Sequence, residues 1–101
     1  MQDELAELWV SRPRRFPDLS GKFEVSGVCL VSLDTNIAGC LSSYMKPTNE
    51  TKRLDLQRFQ VLQRSIDELE KVLPHLKSEV REYFIHMREL AALVLKEAEI
   101  A

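Results

Sequence analysis

Glycine, proline and cysteine are scarce in this chain, and each scarcity excludes something. Three glycines and four prolines occur among 101 residues, and none lies beyond Pro74. The last quarter therefore carries no local breaker, which suits a long helix. Two cysteines, Cys29 and Cys40, are too few for a disulfide framework and read as free buried thiols. No apolar run approaches the roughly 18–20 residues that a membrane-crossing helix needs. The first seven residues hold Asp3, Glu4 and Glu7 and no base, unlike a secretory signal. The expected compartment is the cytosol.

Catalytic signatures are missing too. The chain has no glycine-rich phosphate loop, no paired CxxC, no HExxH and no GxSxG. Its net charge of −2 gives no bulk attraction for nucleic acid or anionic lipid. No cofactor, metal, nucleic-acid partner or membrane partner is expected.

What is present is a composition of 45% hydrophobic and 30% charged residues, ordinary for a folded domain and against disorder. At this length there is room for one core. The whole chain, 1–101, is expected to be a single helical domain.

The second half carries a seven-residue rhythm. Phe59, Leu62, Ile66, Leu69, Leu73 and Leu76 fall at steps of three and four, followed by Val80, Tyr83, Met87, Leu90 and Val94. This spacing predicts helices over 55–73 and 78–98. Asp55 is placed to cap the first, with Leu54 and Phe59 forming a hydrophobic staple. Pro74 breaks it, and Ser78 is placed to cap the second. The short connection predicts an antiparallel pair with Leu62, Ile66, Leu69, Phe84, Met87 and Leu90 in its core. A single long helix kinked at Pro74, in a coiled-coil dimer, is the competing arrangement.

Upstream, residues 2–10 form a short helix that Pro13 stops, and 11–22 form an irregular connection. Residues 46–53 are a polar loop. Residues 23–45 admit two readings. Leu30, Leu33, Ile37, Cys40 or Leu41, and Tyr44 keep helical spacing over about 27–45. The strand formers between Phe23 and Val31, with a turn at Asp34-Thr35-Asn36, instead suit a β-hairpin. An isolated hairpin is marginal in water, so the helix is preferred. The expected fold class is all-α: a small up-down bundle with an antiparallel C-terminal helix pair. Its alternative is α+β, with a β-hairpin at 23–45 packed on that pair.

Candidate chemistry is thin. Cys40 and His86 could pair as nucleophile and base, but no third group orients them. Glu79, Glu82 and His86 share a helix face; a Glu–His step of four with no matching helix fits an exposed pair better than a metal site. His75 is expected in solvent, and Asp34 and Asp55 are isolated carboxylates. Arg64 with Glu68, and Asp67 with Lys71, are spaced as surface pairs. Arg12, Arg14 and Arg15 form the one basic cluster, a possible anion or partner contact. The run from Leu90 to Leu95 is apolar on every side and must be covered on more than one side. Leu90, Leu93 and Leu95 are therefore the expected interface of a homodimer or of another protein partner. Functionally, the residues suit a non-catalytic protein-interaction module that associates through the last helix. A small regulatory or ligand-binding protein with a pocket between helices is the alternative.

The two cysteines test the fold. On one helix, eleven residues separate them by about 16 Å along the axis, beyond disulfide reach. In a hairpin turning at Asp34-Thr35, their Cβ atoms would approach to roughly 4.5–5.5 Å. Mild oxidation followed by mass spectrometry should show no intramolecular Cys29–Cys40 bridge in the folded protein. Rapid, quantitative bridging without loss of structure would overturn the helix.

Overall fold

The structure, a computed structural model, describes residues 4–13 and 15–100. Helix α1 is Glu4–Val10, α2 is Leu30–Tyr44, α3 is Leu56–Val72 and α4 is Ser78–Glu97. Four two-residue strands accompany them: β1 (Glu24–Val25), β2 (Val28–Cys29), β3 (Arg53–Leu54) and β4 (Glu99–Ile100). The chain is mostly helical, and the helices pack together as a small bundle.

Local chemistry accounts for several boundaries. The Asp55 carboxylate accepts the Arg58 backbone N–H at 3.1 Å, capping α3 as its sequence predicts. Past Val72 the chain tightens into a 3₁₀ turn, Leu73–His75, because Pro74 has no N–H to continue the α-helical ladder. The cap position of α4 is Lys77 rather than Ser78, and its side chain makes no capping hydrogen bond. Ser78 is instead the first helical residue, with φ at +52°.

Residues 30–44 are helical, three residues later in onset than the spacing suggests. The strand formers before them do pair, but only between Glu24 and Cys29 and between Val25 and Val28. That hairpin turns at Ser26-Gly27, not at Asp34-Thr35. Both turn residues have positive φ, +51° and +77°, as a two-residue turn matching strand twist requires. Both cysteines are free thiols and Cys40 is buried, but Cys29, expected to be buried too, is exposed because it lies on the short strand before α2 rather than on its apolar stripe.

β3 immediately precedes α3, β4 immediately follows α4, and the two pair. The start of α3 and the end of α4 therefore lie side by side, so the two helices are antiparallel. Tyr44 at the end of α2 donates its hydroxyl to Glu97 Oε1 at 2.8 Å, bringing the ends of α2 and α4 together. Asn49 closes the intervening loop by donating to the Tyr44 and Arg53 carbonyls at 2.8 and 3.0 Å. The result is an up-down-up arrangement of α2, α3 and α4, with α1 laid against α4.

The core combines Leu33, Ile37, Leu41 and Tyr44 of α2 with Leu62, Leu69 and Val72 of α3 and Phe84, Leu90 and Val94 of α4. Met87 is also buried, and Ile66 is partly buried against the same cluster. Leu90, expected at an interface, has no exposed surface and belongs to this core. The neighbouring Ala91 and Val94 are buried as well, and Leu93 and Leu95 are half-buried against the cluster. The chain itself thus covers most of the apolar run in α4.

The surface pairs expected along α3 are replaced by one between helices. Arg88 of α4 bonds Glu70 of α3. Half-exposed pairs of this kind contribute up to about 1 kcal/mol. The core dominates, so its loss should be measurable at one residue. Leu69 is fully buried, and Leu69→Ala should cost about 2–5 kcal/mol in urea denaturation. A variant melting within about 2 °C of the parent would remove Leu69 from the core.

Candidate functional site

An open groove of about 680 Å³ lies between residues 13 and 15–18 and the first turns of α4. Its existence follows from α1. That helix ends at Val10, and the proline-containing segment after it cannot continue as helix. The segment is fastened instead by Phe16. This ring sits edge-to-face against Tyr83, at 5.4 Å between centroids, and against Phe84, at 6.1 Å. Tyr83 and Phe84 meet each other in the same way at 5.2 Å. Such contacts add to the area they bury. Phe84 is fully buried and anchors the trio, while Phe16 remains 39% exposed.

One wall consists of Pro13, Arg15, Phe16, Pro17 and Asp18, and the other of Glu79, Glu82, Tyr83 and His86. His86 is not paired with Glu82. Its Nε2 lies 2.9 Å from the Leu8 carbonyl. A carbonyl can only accept, so Nε2 carries the hydrogen. The Leu8 carbonyl, near the C-terminus of α1, also accepts from the Ser11 hydroxyl at 3.4 Å, and the His86 bond joins α1 to α4. Behind the groove, the Tyr83 hydroxyl donates to Asp34 of α2. Burial raises the Asp34 carboxyl above its ordinary range, and the bond from Tyr83 opposes this in part. Burial and the neighbouring carboxylate raise the Tyr83 phenol strongly, so it stays neutral and donating.

Of the arginine cluster, Arg12 is engaged locally. Its guanidinium lies 3.7 Å over the Trp9 ring and bonds the Trp9 carbonyl, a favourable place for a cation at a helix C-terminus. Arg15 lines the groove and is exposed. Arg14 lies outside the described residues.

Cys40 and His86 do not form a catalytic pair. The Cys40 thiol points to the Arg58 carbonyl at 3.6 Å, and burial raises its pKa. His86 is committed to Leu8. Cys29 behaves differently: the Ser32 hydroxyl, then the Ser32 backbone N–H, stabilise its thiolate and lower its pKa. Among the described residues, no group of three His, Cys, Asp or Glu side chains is placed to hold a metal ion. No described helix is long and apolar enough to cross a membrane.

A second, smaller groove of about 380 Å³ lies among residues 18–25, the start of α2 and the start of α4. Sequence reasoning found neither groove. The aromatic content of Phe16 and Tyr83 was the available signal, but helical spacing links Tyr83 only to its own helix. The chain matches no family model, no curated protein and no solved structure.

The Asp34–Tyr83 bond has a pH consequence. Because folding raises the Asp34 pKa, folding takes up protons in a window opening near pH 4, the ordinary carboxylate value, and extending upward. Below that window the carboxyl is protonated in both states and burial costs little. Above it the charge must be buried, and stability falls. Asp34→Asn keeps an acceptor for Tyr83 and removes the charge. Urea midpoints should therefore shift in favour of the variant as pH rises from about 4 to about 7. A constant parent–variant difference across that range would contradict the assignment.

Proposed function

We propose that this chain is a non-catalytic helical protein-interaction module, and that it receives a segment of another protein in the groove between residues 13 and 15–18 and α4. One observation carries the reading: Phe16 is held in a fixed pose by two aromatic contacts, yet more than a third of it faces solvent. A rigid, part-exposed aromatic ring in a concavity is a low-entropy anchor for a partner chain. Among the described residues, no buried side-chain nitrogen or oxygen lacks a hydrogen-bond partner. No reactive pair converges in the groove. A reducing compartment such as the cytosol suits the exposed free thiol of Cys29.

Self-association through α4 is a second reading, and it has less to work with. Leu90 is core, so only half-buried Leu93 and Leu95, beside exposed Ala92, could meet a second copy.

Selection of displayed random peptides against the full-length chain, with sedimentation at several concentrations, separates the two. The first reading expects a monomer. It also expects selected peptides whose affinity falls about tenfold or more with Phe16→Ser, the scale of one lost anchor, while Leu93→Glu leaves affinity unchanged. Because Phe16 also braces its segment, circular dichroism must show both variants folded. Peptide binding indifferent to Phe16, or a dimer dispersed by Leu93→Glu, would move the interface to α4.

A further inference from the structure

Resting on that reading, we infer that the segment received by the groove is cationic: it places a lysine or arginine side chain against the exposed Phe16 ring and the carboxylates of α4. Among the described residues, three carboxylates line the groove, Asp18, Glu79 and Glu82, with the guanidinium of Arg15. Asp18 already accepts the Ser20 backbone N–H at 2.9 Å. Glu79 and Glu82 take part in none of the ion pairs formed among the described residues. They stand on the helical wall, one turn apart, beside the aromatic floor.

The exposed ring adds a second attraction. An aromatic face is electron-rich and draws a cation placed within about 6 Å of it. Tyr83 is buried and donates its hydroxyl to Asp34, so Phe16 supplies the exposed aromatic surface. A long basic side chain fits both features. Its methylene stem can lie on Phe16, and its charged head can reach Glu79 or Glu82. An acidic segment would meet the two carboxylates of α4 and, among the described lining residues, only Arg15 would favour it.

The test uses the full chain labelled with ¹⁵N and three blocked five-residue peptides, carrying lysines, glutamates or glutamines in an alanine background. Amide shifts of Phe16, Glu82, Tyr83 and His86 report the groove. The lysine peptide should shift them and bind about fivefold or more tighter than the glutamate peptide, the sum of weak exposed pairings and a cation–π contact. Raising salt from about 50 to about 500 mM should narrow that gap. Glu79→Lys with Glu82→Lys should reverse the preference. Both positions are exposed, so the variant should fold as the parent does. Groove shifts of equal size with all three peptides, or a preference for glutamate, would overturn the cationic assignment and leave the groove as a binding surface. Absence of groove shifts with every peptide, while the selected peptides still bind through Phe16, would overturn the cationic assignment alone. Absence of both would overturn the two readings together.

Discussion

The fold depends on covering α4. A helix apolar on several sides cannot rest on one neighbour, because each uncovered side leaves hydrocarbon in water at roughly 25 cal/mol per Å². In this chain α1, α2 and α3 each contact α4. Several other features serve that arrangement. The 3₁₀ turn at Pro74 reverses the chain so that α3 lies along α4. Asn49 pins the loop that returns α2 to α3. His86 holds α1 by a backbone carbonyl rather than by side-chain packing alone.

The groove is a by-product of the same constraint. Seven residues of α1 are enough to cover one stretch of α4 but do not reach its first turns. The following segment crosses that gap with Phe16 and leaves space on either side of the ring. Binding surfaces on such small domains need no dedicated element. They can lie where the covering of a core helix runs out.

Periodicity made the helical architecture legible. The three-four spacing over Phe59–Val94 located α3 and α4, and the Asp55 cap located a boundary to one residue. It could not distinguish a stripe covered within the chain from one covered by a partner, so Leu90 read equally well as core or as interface. The distinction depends on contacts with α1 and α2, which are distant in sequence. The Ser26-Gly27 turn was missed, because the polar run Asp34-Thr35-Asn36 was read as the turn of the hairpin. The short β3–β4 pairing had no local signal, since two residues are too few for alternation to register. The Asp34–Tyr83 and His86–Leu8 contacts were likewise out of reach, because each joins isolated positions on separate helices.

The chain has a single tryptophan, and it lies on α1. At seven residues α1 is far below the roughly 12–15 at which an isolated helix becomes marginal, so it is helical only while docked. Trp9 is half-buried, with the Arg12 guanidinium over its ring. Its fluorescence therefore reports the docking of the N-terminal helix and not the integrity of the three-helix core. Ellipticity reports chiefly α2, α3 and α4. Coincident unfolding curves from the two signals would mean that α1 and the core open as one cooperative unit. An earlier fluorescence transition would identify α1 as a separate, less stable unit, whose release frees His86 and widens the groove beside it.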